Sequence, residues 1–392
     1  MRTRTLLGAT VLALSTMTMT VTAATAAGAS ESEASRADFS SDAPQHVFYV
    51  MMENHGYNQI IGNTADAPFI NALASRYNLA TNFHGVTHPS LPNYLAAISG
   101  STQGIFDDCK AGATVTCAPE EFVPGSGDAT SSASLTPAQA QQAAQTPHMF
   151  GGRTIVDQLE KHGLSWKAYM ENLPSSGSQV EYAPVVNGQT VKLYAQKHDP
   201  FMYFSSINSP FNERLNNIVP LEGHLSHDLA EGTVPNFVWI SPNQCHDMHG
   251  ISASSAALVG LPQCGYPSDP TVLDHGAIQL GDAFVKQTVK QIMASKTWRT
   301  TRSQIVLSWD ENDYSGYSGG PGSPVGAKGV VLGGGTAASI VISSHAGPHK
   351  TSDALLDHYS VLRAIQDEWH LGCLAATCDL RGDQRMTGLF RP

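Results

Sequence analysis

A chain of 392 residues can bury one large core or two smaller ones, and its formal net charge of −11 argues against a nucleic-acid partner. Charged residues make up only 14% of the chain and no Lys/Arg-rich run occurs, which leaves an acidic protein able to bind phosphate locally, through a metal, rather than over a basic surface.

Arg2 and Arg4 precede a stretch rich in Leu, Ala, Met and Thr from Leu6 to Val21, which ends in Ala24, Thr25, Ala26 and Ala27. This is the pattern of a secretory signal peptide over residues 1–27, cut near Ala26 or Ala27. A Ser/Ala/Glu-rich, flexible lead-in over 28–43 follows. No later stretch is long and apolar enough for a stable membrane span. The six cysteines form three local couples, Cys109 with Cys117, Cys245 with Cys264 and Cys373 with Cys378, which suits an oxidising compartment and nearest-neighbour disulfides. No CxxC spacing supports zinc binding by thiolates.

Val47 to Met52 has the Val and aromatic content of a strand covered on both faces, and it stops abruptly at Glu53, Asn54 and His55. Pro68 opens a helical pattern with apolar Phe69, Ile70, Leu73 and Tyr77. Residues 83–98 read as a Pro-stiffened loop feeding a helix whose apolar period resumes at Leu95, with Ser90 near its start. Such an end offers N–H groups to an anion, although a Ser in that position also suits a plain N-cap. Residues 118–151, rich in Pro, Ser, Ala, Gln and Gly, read as an insertion.

Regular structure resumes with a helix over 154–162 and strands over 165–170 and 236–240, the latter followed by Asp247 and His249. A helix over 278–293 comes next, then a strand over 304–309 that ends at Asp310, Glu311, Asn312 and Asp313. A Gly-rich loop over 316–335 leads to a strand over 339–343 ending in His345 and His349, and a helix over 353–369 closes the pattern. The alternation predicts one α/β domain over 44–392, with a central, mostly parallel sheet and helices on both faces.

Four expected strands therefore end in carboxylates or imidazoles. In a parallel sheet those ends share one edge, where groups distant in sequence converge on a hard or borderline divalent ion. An EF-hand reading of the segment from Asp310 fails, because Tyr314 stands where Asp or Asn is needed and Pro321 where the bidentate Glu belongs. A metal beside a hydroxyl at a helix N-terminus suits phosphate-ester hydrolysis through a phosphoserine.

These residues also carry a resemblance. Glu53-Asn54-His55, Thr87-His88-Pro89-Ser90-Leu91-Pro92-Asn93-Tyr94, the stretch from Gly232-Thr233-Val234-Pro235 to Asn243, and Trp309-Asp310-Glu311-Asn312-Asp313 resemble the bacterial and fungal phosphoesterase family, within the alkaline-phosphatase-like superfamily. The resemblance spans about residues 46–370. It implies that Glu53, Asn54, Asp310 and Glu311 hold one divalent ion, or two, and that Ser90 is the nucleophile on the metal. It further implies that Asn93, Asp247 and His249 line a phosphate or second-metal pocket, with the proton donor among His88, His249 and His345. The activity implied is that of a secreted acid phosphatase on phosphate monoesters, phosphoinositides among them. A phospholipase C acting on phospholipid head groups is the alternative within the family. A serine acyl hydrolase is disfavoured because Ser90 lies in no G-x-S-x-G elbow and the acidic clusters would go unexplained; a non-catalytic binding protein is the remaining reading. Oligomeric state stays open.

Overall fold

The computed structural model describes residues 43–114, 135–209, 211–269, 272–314 and 316–391. The expected signal peptide, all but the last residue of the lead-in, Cys117 and the first part of the insertion lie outside the described residues. The described part of the insertion contains a helix, Pro137–Gln145, whose cap Thr136 accepts a hydrogen bond from Gln139 N.

The strands are β1 (His46–Met52), β2 (Asn78–His84), β3 (Trp166–Met170), β4 (Tyr182–Val186), β5 (Gln189–Ala195), β6 (Ile218–Pro220), β7 (Phe237–Ser241), β8 (Ser303–Trp309), β9 (Thr336–Ser343) and β10 (Thr351–Ser352). Eight form the main sheet in the order β10-β2-β9-β8-β1-β7-β3-β6, while β4 and β5 make a separate hairpin. β1 pairs in parallel with β7 and β8, placing Val50 opposite Ile240 on one side and Leu307 on the other. The α/β architecture with a mostly parallel central sheet is thus the one expected from the sequence.

From Val47 to Met52 every side chain of β1 is buried, whichever face it points to. Each such side chain contributes about 2 kcal/mol, and together they fix the strand end against the several kcal/mol that a buried acid just beyond it costs. One covering layer pairs the wholly buried helix Ser90–Ser99 with the helix His358–Glu368. It lies on the Tyr49 face, where Tyr94 and Tyr49 both contact Trp239. A second pair joins Pro68–Arg76 to His275–Ala294, the latter capped by Asp274, and Asp282 accepts from the amides of Phe69 and Ile70. Among the described residues no helix is long and apolar enough to cross a membrane. Disulfides join Cys245 to Cys264 and Cys373 to Cys378, as the spacing suggested; Cys109 is disulfide-bonded, and its expected partner Cys117 is outside the described residues.

The structure corrects the reading in one consequential place. β9 is antiparallel to both β8 and β2, so its carboxyl end points away from the edge shared by β1, β7 and β8. Ser344 N donates to Ser303 O at the opposite end of β8, and His345 and His349 are exposed there. Strand composition does not encode direction, and the long Gly-rich connection permits the reversal. Three smaller differences follow from local chemistry. Neither β2, of which only Phe83 and His84 fall in the expected loop, nor the β4–β5 hairpin was expected, although Asn187 and Gly188, both at positive φ, form the tight turn that Asn-Gly favours. The helix expected over 353–369 starts at His358, because Asp357 caps it by accepting from Ser360 N at 3.2 Å.

After β2 the chain passes at Gly85 so close to the end of β8 that a Cβ there would lie 2.7 Å from Asp310 O and 3.1 Å from Glu311 Cα. Gly85→Ala is therefore expected to cost about 1–3 kcal/mol by overpacking, read as a lowered urea midpoint at constant m-value. An unchanged midpoint would mean that the turn after β8 yields freely.

Candidate functional site

The parallel edge delivers the site. Beyond β1, Asn54 takes a left-handed turn at φ 49°, tolerable for Asn, and its amide donates to Asp310 Oδ1 at 3.1 Å. Asp310 N in turn donates to Met52 O, and Glu53 N to Asp247 O, so the backbone ties the end of β1 to the end of β8 and to the loop that follows β7. Ser90 opens the helix that follows the β2 loop, but it is not the N-cap: that position is Pro89. Instead Ser90 Oγ donates to Glu53 Oε2 at 2.9 Å, and both residues are buried.

Around this pair stand groups from other segments. His198, just past β5, places Nε2 3.1 Å from Glu53 Oε1 and Nδ1 3.2 Å from Asp247 Oδ2, while Tyr94 stacks on its ring at 5.1 Å. Lys197 Nζ is 2.7 Å from Asp108 Oδ2, 3.2 Å from His249 Nε2 and 3.5 Å from Ser90 Oγ. His88 Nδ1 is 2.9 Å from Glu311 Oε2, and its ring stacks on Tyr314 at 4.2 Å. A cleft of about 560 Å³ opens over the cluster, lined among others by Asn54, Lys192, Lys197, His249, Tyr266 and Tyr314.

Acids buried this close demand compensation. Burial, and then Asp310, pushes the Glu53 carboxyl well above its usual range; burial and Glu311 do the same to Asp310, and burial and Glu53 to Asp247. His198 and His249 are held neutral, first by burial and then by Lys197, His249 falling to about 3. Asp310 Oδ2 and Asn54 Oδ1 are buried without a hydrogen-bond partner. Oxygen donors with vacant lone pairs, carboxylates that resist ionisation and a nearby hydroxyl are the donor set of a hard or borderline divalent cation. Glu53, His198 and His249 form a second candidate group, with ligand atoms all within 4.8 Å of one another.

Of the residues singled out in the sequence, Glu53, Asn54, Ser90, Asp247, His249, Asp310, Glu311 and His88 meet at this edge. Asn93 is close but engaged: its amide accepts from Val86 N and Thr87 N and donates to Thr87 O, Pro89 O and Glu311 Oε2. It shapes the loop before Ser90 and does not line the cleft. His345 lies at the far edge. The helix N-terminus is less open to an anion than expected, because Leu91 N donates to Asp108 Oδ1 and Pro92 has no N–H. Sequence reading missed Lys197, His198, Asp108 and His358, whose Nε2 donates to Asp310 O at 2.7 Å and so steadies the turn carrying Asp310. The signal for the first two was Lys197-His198-Asp199 directly after an alternating strand, a cluster of titratable residues at a strand end like those at 53 and 310.

The model of the phosphoesterase family matches residues 63–372. The phosphatidylinositol-3-phosphatase of Mycobacterium tuberculosis is 26% identical over 327 residues, which cover 83% of this chain and 77% of that one. An acid phosphatase of Aspergillus fumigatus is 29% identical over 214 residues, covering 54% of this chain and 38% of that one. A solved structure from Vibrio parahaemolyticus, described as a protein in the alkaline phosphatase superfamily, aligns over 85% of this chain and 68% of that chain with 12% identity and a TM-score of 0.44.

The raised carboxyls give a direction for pH. Without a cation the folded protein holds protons on Glu53 and Asp310 that the unfolded chain releases near pH 4, so these groups destabilise the fold increasingly as pH rises above that range. A divalent ion needs the carboxylate forms, displaces the protons and removes the penalty. The Tm gap between metal-loaded and chelator-treated protein is expected to widen from pH 5 to pH 7 in differential scanning calorimetry. A gap that narrows over that interval would contradict the assignment of these acids.

Proposed function

Because the chain belongs to the phosphoesterase family, we propose that it is a metal-dependent acid phosphatase, hydrolysing phosphate monoesters through phosphorylation of Ser90. The observation that carries this reading is the buried Ser90 hydroxyl donating to Glu53 Oε2, with its chain neighbour Pro89 and the nearby Lys197 lining an open cleft. The relatives named as acid phosphatases and a phosphatidylinositol-3-phosphatase support the reaction class. The leader-like N-terminal sequence and the disulfides support export from the cytoplasm.

Glu53, Asn54 and Asp310 would hold the first ion, with Glu311 beside them. When bound, a divalent ion there lowers the pKa of the serine hydroxyl and offsets the charge on the phosphoryl oxygens. Ser90 Oγ, aimed by its hydrogen bond with Glu53 Oε2, releases its proton to solvent in the cleft and attacks phosphorus as the bond to the leaving oxygen breaks. His88, paired with Glu311, protonates that oxygen. His249 suits this role less: it is held neutral, and its Nδ1 faces the Gly250 carbonyl. Water then attacks the phosphoserine, releasing inorganic phosphate and restoring the hydroxyl. Lys192, Tyr266 and Tyr314 around the cleft would receive the alcohol portion of the substrate.

The test is release of p-nitrophenol from its phosphate monoester and from its phosphocholine diester across pH. Monoester turnover should fall on the order of a thousandfold or more in Ser90→Ala, and should be lost with a chelator and return with added divalent metal. Turnover of the diester alone would identify a phospholipase C instead, and full monoester activity in Ser90→Ala would remove Ser90 from the mechanism.

A further inference from the structure

Two groups of cation ligands share Glu53. The first is the Glu53, Asn54 and Asp310 set beside Ser90. The second, Glu53 with His198 and His249, has the mixed carboxylate and imidazole donors of a transition-metal site, its ligand atoms within 4.8 Å of one another. Asp247 Oδ2 stands behind it, 3.2 Å from His198 Nδ1.

Lys197 stands at the second group. The His249 tautomer follows from its partners: Nδ1 lies 2.9 Å from Gly250 O, which can only accept, and 3.1 Å from the Tyr266 hydroxyl, which can do either, while Nε2 faces a donor, so Nδ1 carries the hydrogen and Nε2 the single in-plane lone pair. Facing Nε2 at 3.2 Å is the Lys197 ammonium, which can only donate. A zinc ion on that lone pair would sit about 2.1 Å from Nε2 and therefore about 1 Å from Nζ, a position already filled. The ammonium does not swing there by chance. Asp108 Oδ2 grips it at 2.7 Å, and Asp108 Oδ1 is itself fixed by Leu91 N in the first turn of the Ser90 helix. The adjacent Asp107 accepts from Cys109 N and from the buried His148 at 2.6 Å, so the segment bearing Asp108 is bolted in place.

We propose that Lys197 is the resident cation of the second group, its ammonium occupying the position of a second metal ion, so that the site takes one divalent ion rather than two. This rests on reading the Glu53 cluster as a metal centre. The charge that Lys197 supplies lies 3.5 Å from Ser90 Oγ and belongs to the chain, so neither a chelator nor metal scarcity removes it.

The test counts zinc. Wild-type protein, Lys197→Met, Lys197→Gln, Lys197→Arg and the double variant Lys197→Met/His249→Ala are equilibrated with Zn²⁺ alone, and bound metal per chain is measured by plasma mass spectrometry. Lys197→Met and Lys197→Gln should each bind one equivalent more than wild type, Lys197→Arg should match wild type, and the added equivalent should vanish in the double variant. Equal stoichiometry in wild type and both neutral variants, or an added ion that survives loss of His249, would overturn the proposal. Because the readout is a difference, a wild-type count of zero would refute the first group as a metal centre while still leaving the second to be decided by the variants. Nitrogen-15 spectra of wild-type His249 decide the matter without any variant: Nε2 should keep its resonance as Zn²⁺ is added, and a shift to that of a metal-bound imidazole would overturn the proposal.

Discussion

The whole arrangement depends on one electrostatic constraint: Glu53, Asp247, Asp310 and Glu311 are buried together, where burial and a neighbouring acid raise the cost of ionising three of them, Asp310 acting on Glu53, Glu53 on Asp247 and Glu311 on Asp310. Such a cluster persists only if protons or cations neutralise it and its backbone cannot spread. Hydrogen bonds from Glu53 N to Asp247 O and from Asp310 N to Met52 O prevent spreading, because they tie the end of β1 to the loop that follows β7 and to the end of β8. The apolar run of β1, flanked on both sides and covered on both faces, absorbs the strain of ending in unsolvated acids. Chemistry at the edge and hydrophobic burial in the sheet are in this sense one construction.

Positive charge reaches the cluster by two routes. A divalent ion suits the oxygen donors around Ser90, and Lys197 arrives on a segment that enters from the β4–β5 hairpin. The second route shows how insertions outside the main sheet change an edge that the sheet itself only outlines. Asp108 comes from a further segment and holds both the lysine and the start of the Ser90 helix, while His148 anchors the adjacent Asp107. The helix N-terminus, partly closed by Asp108, contributes less to anion binding than its position suggests, so charge on side chains carries more of that role.

How much of this was legible in sequence follows from what sequence encodes. β1, β7 and β8 are dense in apolar β-formers and stop at polar residues, so their existence, their burial and the chemistry at their ends could be read directly. The direction of β9 could not. Its composition is that of the mutually parallel strands β1, β7 and β8, and only the Gly-rich connection from β8, which returns by way of Gly334 and Gly335 against Gly85, turns the strand around and carries His345 to the far edge. Asn93 was legible as part of the Ser90 motif but not as a clamp on the preceding loop, since its partners there are backbone groups that no composition reveals. Lys197 and His198 were visible as a cluster, yet without the hairpin nothing aimed them at Glu53. Periodicity locates elements; the polar side chains between them acquire roles only once the topology is known.

The central claim is that Ser90, activated at the cation-bearing edge, becomes phosphorylated during turnover. The most direct measurement is mass spectrometry of protein quenched in acid during steady-state hydrolysis of p-nitrophenyl phosphate, followed by proteolysis. The account predicts one phosphoryl group on the peptide containing Ser90, located on that serine by fragmentation and lost on further incubation with water. Phosphorylation of another residue, or active enzyme whose turnover never leaves phosphate on Ser90 even when the second step is slowed at low pH, would contradict it.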